Sequence, residues 1–251
     1  MKKIIALLLA LVMALSLCAC GKTVCSVEGC ENEAVEDATY DEPYCSKHLA
    51  SKKAFDVSKE AYDNINSAYL TVEKYGSDIY EAWRLGIYED DEILDDGCKH
   101  LATELNLSEA ELLDGLAYTI APMLFDKEWD ELSEEEKDNL RGFGNTAFSA
   151  FEDDLFSFCV MVASNAYITN GKVAEVQECL SQSKTLMKEL SDLYSDYEHY
   201  PALKGYYTTT SSFFDFCQNP TGSFEQIKTT TEDYKSTARD YKADLDYIFE
   251  D

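Results

Sequence analysis

The stretch VAEVQECLSQSKTLMKELSDLYSDY, residues 173–197, decides the fold class. Its apolar and small residues recur at Val173, Val176, Leu180, Ser183, Met187, Leu190, Tyr194 and Tyr197, alternating steps of three and four. That is the period of one face of an α-helix, and the run is long enough to predict a helix of roughly 40 Å. Asn170-Gly171 just before it supplies a turn, with glycine suited to positive φ. Upstream of the turn, Phe148, Phe151, Leu155, Phe158, Val162 and Ala166 form a second stripe, so the two runs are expected to fold as a helical hairpin. Cys159 lies eleven residues before Asn170 and Cys179 eight after Gly171. They fall nearly level across such a hairpin and are candidates for a disulfide.

The same spacing extends both ways. Leu203, Tyr206, Thr210, Phe213 and Cys217 predict a shorter helix after Pro201. Asn219-Pro220-Thr221-Gly222 breaks it, and Phe224 to Ile248 carry the last helix. Toward the N-terminus, Ser133 with Glu136 and Ser108 with Glu111 are capping boxes that open helices. Pro122 and the stretch to Trp129 should end the one that Ser108 opens. A further piece runs from Ile93 to Leu105, and a first helix begins near Ser51, continuing or bending near Gly76 toward Trp83. No stretch alternates with period two. The expected fold for residues 51–251 is therefore all-α, an antiparallel bundle of long helices. A solenoid is the rival architecture, but no fixed repeat period is visible.

Ahead of the bundle, residues 25–50 follow another logic. Cys25-x4-Cys30 is followed by Cys45-x2-His48, two close pairs separated by a loop that can present three thiolates and one imidazole tetrahedrally to zinc. Gly29 offers a permissive backbone at the first pair, and Tyr44 precedes the second. Disulfides would be the other use for these thiols, yet three cysteines cannot all pair among themselves and the histidine would be left unexplained. The segment resembles small zinc-finger-like or treble-clef-like modules with a Tyr-Cys-x2-His second half. The resemblance implies a closed structural site with Cys25, Cys30, Cys45 and His48 as ligands and no position for an activated water. Glu28, Glu31, Glu33, Glu36, Asp37, Asp41 and Glu42 surround it, the reverse of a nucleic-acid finger.

The first residues have a different character again. Lys2 and Lys3 precede an apolar run from Ile4 to Leu17, too short to span a bilayer and followed by small residues, as in a cleavable signal. It closes on Leu17-Cys18-Ala19-Cys20-Gly21. These residues resemble the lipobox of bacterial lipoproteins, with Cys18 departing from the commonest choice at its position. The resemblance implies that residues 1–19 are removed as a signal peptide and that Cys20 is acylated. Residues 20–24 then become a lipid anchor and short tether to the outer side of the bacterial cell membrane.

The whole chain carries 21 basic and 49 acidic residues, a formal charge of −28. Such a surface repels nucleic acid and anionic headgroups, so the lipid has to supply membrane attachment. Aromatic residues make up 12% and hydrophobic residues 45% of the chain, which excludes disorder by composition.

No catalytic signature emerges. Ser181-x2-Lys184 matches one motif of penicillin-binding enzymes but lies mid-helix without its partner motifs. Three histidines cannot build a di-iron bundle. The acidic run from Asp90 to Gly97 has Ile93 and Leu94 where calcium ligands are required, and Asp196-x2-His199 is a polar helix end. The expected function is a non-enzymatic, membrane-anchored binding or scaffold protein with a structural zinc collar, engaging a protein or other envelope ligand. The alternatives are an envelope enzyme whose carboxylates assemble only in three dimensions, and a solute-binding receptor. The alternating strand and helix pattern of transporter-linked receptors is absent.

Overall fold

In the computed structural model residues 23–249 are described, the side chain of Asn145 excepted. Residues 1–19, read above as a signal peptide, and Cys20 lie outside the described residues. The chain divides into two compact units, Met1–Asp56 and Val57–Asp251.

Among the described residues there are nine α-helices: α1 Ser46–Tyr88, α2 Asp90–Leu105, α3 Glu109–Leu124, α4 Glu134–Arg141, α5 Asn145–Ala150, α6 Leu155–Thr169, α7 Lys172–Leu193, α8 Tyr200–Gln218 and α9 Phe224–Phe249. Strands are absent among these residues, and the β pairing consists of two isolated antiparallel bridges, Val24 with Glu33 and Val35 with Tyr44. The all-α expectation holds.

In the second unit, α1 from Val57 onward is the central element. Ala61, Tyr62, Ile65, Ala68, Tyr69, Val72, Tyr75, Ile79, Ala82 and Leu85 are all buried, too wide a set for a helix that rests on one neighbour. Their polar atoms are satisfied by other helices. The Tyr75 hydroxyl lies 2.5 Å from Ser164 Oγ of α6, and Tyr206 of α8 donates to Asn66 at 3.1 Å. The fully buried Tyr62, Tyr69, Tyr75 and Tyr206 are core residues with hydrogen-bonded tips.

Sequence and structure agree best at the caps. Ser108 Oγ accepts the Glu111 N–H at 3.2 Å and the Glu111 carboxylate accepts the Ser108 N–H at 2.8 Å. Ser133 and Glu136 do the same for α4 at 3.3 and 2.8 Å. Each box satisfies two backbone donors that a helix start otherwise leaves open.

Of the two courses open to it at Gly76, helix α1 takes the continuing one, and the glycine serves a close approach: a Cβ there would stand 2.4 Å from the Phe213 ring. Two details differ from the sequence reading. The expected long stripe from Phe148 to Ala166 is split into α5 and α6 by a 3-10 turn at Glu152–Asp154. Three consecutive carboxylates suit the positive end of a helix starting at Leu155 better than the middle of one. Helix α7 stops at Leu193, where Tyr194 leaves helical dihedrals (φ −136°, ψ 49°). Turns closed by Tyr197 N–H to Tyr194 O and Tyr200 N–H to Tyr197 O lead to Pro201 in the first turn of α8, where proline's missing N–H costs nothing. Helix α3 ends as expected, at Leu124, two residues after Pro122 and within the stretch to Trp129.

The packing of α3 against α6 is extensive. It depends on Gly115, where a Cβ would lie 2.4 Å from the Val162 carbonyl oxygen and 2.7 Å from the Ala166 nitrogen.

Candidate metal centre

The first unit builds its centre from two tight turns and a helix start. Cys30 N–H bonds to Val27 O at 3.0 Å, closing a knuckle in which Gly29 takes φ +77°, a conformation that disfavours any Cβ. Cys25 N–H to Asn32 O at 3.0 Å and the Val24–Glu33 bridge hold the knuckle's ends together. The chain then crosses through the Val35–Tyr44 bridge to Cys45, which caps α1. His48 stands in the first turn of that helix.

One ligand atom from each of Cys25, Cys30, Cys45 and His48 lies within 4.8 Å of all the others, and among the described residues this is the one such group. Cys25 Sγ is 3.2 Å and Cys45 Sγ 3.5 Å from His48 Nδ1, and Cys30 Sγ is 3.9 Å from Cys45 Sγ. Metal–sulfur and metal–nitrogen bonds of ordinary zinc length, set tetrahedrally, give S–S edges of about 3.8 Å and S–N edges of about 3.6 Å. The three separations given lie within about 0.4 Å of those edges. The imidazole faces the group through Nδ1.

The thiols differ electrostatically. The His48 backbone N–H at the start of α1 draws the Cys45 thiol below its usual value, more than burial raises it, and the Lys47 N–H adds to the effect. A helix N-terminus stabilises a thiolate in this way. At Cys30 the Asn32 backbone N–H pulls down, but desolvation and hydrogen bonds with Cys45 and Cys25 outweigh it and the thiol sits above its usual value. Crowded thiols resist ionising together, so a metal entering the group must displace protons.

Two ties that the sequence spacing did not announce bind the hairpin to α1. Lys53 Nζ is 2.5 Å from Asp37 Oδ2, and Tyr40 donates to Asp56 Oδ2 at 2.8 Å, with Lys52 on the other oxygen at 2.6 Å. Lys53 first, then the Thr39 N–H, hold the Asp37 carboxyl below its usual value. These ties explain why residues 51–56 count with the first unit. Asn32 Nδ2, 3.6 Å from Cys30 Sγ, was likewise not foreseeable from spacing. Between Thr23 and Asp56 only Cys25, Cys45 and Ala54 are buried. Two ligands and one alanine are no hydrophobic core.

The remaining candidates are dispersed. Cys159 and Cys179 are separate free thiols, Cys159 fully buried and Cys179 half-buried. Burial pushes the Cys159 thiol up to about 12, and the neighbouring Cys98 adds a smaller upward push. Burial also takes Cys98 to about 12. These are inert core thiols. Asp90, Asp91 and Glu92 form the first turn of α2 rather than a loop, Ser181 and Lys184 lie exposed within α7, and the His199 ring stands edge-on to Tyr197. The one buried carboxylate among the described residues, Asp78, is hydrogen-bonded by Lys74 and Tyr167, each at 2.6 Å.

Compared with protein-family profiles, curated proteins and solved structures, the chain matches none. No described helix is long and apolar enough to cross a membrane.

Proposed function

We propose that Cys25, Cys30, Cys45 and His48 hold a structural zinc ion in a lipid-anchored extracytoplasmic protein whose helical bundle binds an envelope ligand without catalysing a reaction on it. The observation that supports zinc is the convergence of four soft or borderline ligand atoms within 4.8 Å of one another in a unit with almost no core. Four protein ligands complete the coordination shell, so the ion orders the knuckle and the first turn of α1 and activates no water. Metal binding contributes about 10–16 kcal/mol in peptides of this kind, ample to fold a unit that buries so little. The lipid attachment rests on the resemblance of residues 17–21 to a lipobox.

Elemental analysis of the full-length protein isolated from membranes tests the metal, with one zinc per chain expected and a loss in Cys45→Ser. A metal-free protein with oxidised Cys25, Cys30 or Cys45 would overturn it. For the anchor, mass spectrometry of the N-terminal peptide should find diacylglycerol on Cys20, and Cys20→Ala should move the protein out of the membrane fraction. An unmodified Cys20 refutes that part alone.

A further inference from the structure

The surface of the helical unit carries a local reversal of charge. With 49 acidic residues against 21 basic ones, most bases are paired, as in Lys172–Glu175, Lys235–Glu232 and Lys242–Asp246. Lys184 and Lys204 have no such partner among the described residues, and both line one notch of about 300 Å³ between α7 and α8. A third lysine joins them there. Lys188 follows Lys184 by four residues on α7, a spacing at which like charges repel. Asp192 pairs with Lys188 and offsets one of the three charges, leaving a surplus of two.

The other walls of the notch suit a particular ligand. Tyr200 and Tyr207 line it, each half-buried, offering ring faces with polar tips. Helix α8 starts at Tyr200 with no side chain capping it, so its positive end also lies at this notch. The volume is at the lower end for a small-molecule site and admits about one sugar ring. Inorganic anions would use the lysines and leave the rings idle, while neutral sugars would use the rings and leave the lysines unpaired.

We infer that this notch is a binding site for an acidic sugar, its carboxylate held by Lys184 and Lys204 and its ring lying on Tyr200 or Tyr207. The site gives the bundle a ligand class. Its existence depends on neither the metal nor the lipid, so loss of zinc or of the acyl group would leave it standing.

Titration calorimetry of the full-length, metal-loaded protein in detergent micelles provides the test, with galacturonate as probe and galactose and inorganic phosphate as controls. Galacturonate should bind, galactose should bind at least tenfold more weakly, and the double variant Lys184→Gln, Lys204→Gln should lose at least tenfold in affinity. Lys184→Glu separates folding from binding. It replaces a repulsive pair with Lys188 by an attractive one, so the melting temperature should hold or rise while galacturonate binding disappears. Absence of galacturonate binding, equal binding of galactose, or full affinity in the double variant would each overturn the assignment. Phosphate binding as tight as galacturonate would reduce the notch to an adventitious ion site and overturn it too.

Discussion

Cys45 does two things with one atom. Its sulfur accepts the His48 N–H at the start of α1 and stands 3.5 Å from the same residue's Nδ1, so the helix cap and the candidate metal ligand coincide. Elsewhere single residues carry packing. At Gly115 the nearest atoms are backbone on α6 and cannot swing aside, so Gly115→Ala should destabilise the bundle by about 2–3 kcal/mol, read by urea denaturation. Asp78 offers a pH test. Burial holds its carboxyl above the usual value, against the pull of Lys74 and Tyr167. The folded protein therefore keeps this proton to higher pH than the unfolded chain. Its contribution to stability is greatest below the ordinary carboxylate value of about 3.9 and declines as pH rises through the raised folded value. Asp78→Asn removes that decline, so the variant should gain on the wild type as pH rises across this window. Parallel denaturation curves at several pH values measure the difference.

At the scale of elements, caps proved to be the most local devices. Ser108→Ala leaves α3 with open N–H groups and should cost about 1 kcal/mol, visible as a lower urea midpoint at unchanged slope. Such a box is readable from sequence because donor and acceptor are three residues apart. The convergence of the Cys/His group was readable for a similar reason: Cys25 with Cys30 and Cys45 with His48 form short-range pairs, and a single loop joins them. What spacing could not supply were features decided by distant neighbours. The apolar period from Phe148 to Ala166 survives the break at Glu152–Asp154, with Phe151 still stacked on Phe158 at 4.2 Å, so the stripe alone gave no sign of two helices. Gly76 left open whether the helix continues or bends, because its partner, Phe213, is 137 positions away. Cys159 and Cys179 were placed level by counting from the turn, but counting gives height along a hairpin and not which way a side chain points.

For the molecule as a whole, charge is the dominant condition. A formal −28 makes the surface repel itself, with long-range repulsion only partly offset by ion pairs such as Arg239–Glu73 and Arg141–Asp114. Raising ionic strength from 0.01 M to 0.15 M shortens the screening length from about 30 Å to about 8 Å. The melting temperature should therefore rise by several degrees, an effect calorimetry can record. Helix α1 adds a different consequence. Its residues from Ser46 to Asp56 belong to the unit that holds the Cys/His group, and those from Val57 to Tyr88 to the bundle. Two stretches of one helix thus answer to two different clocks. On adding a chelator, amide hydrogen exchange should quicken in the first turns of α1 while the amides from Ala61 to Leu85 keep their pace. The point along the helix where the two rates meet would mark, residue by residue, how far the influence of the metal reaches.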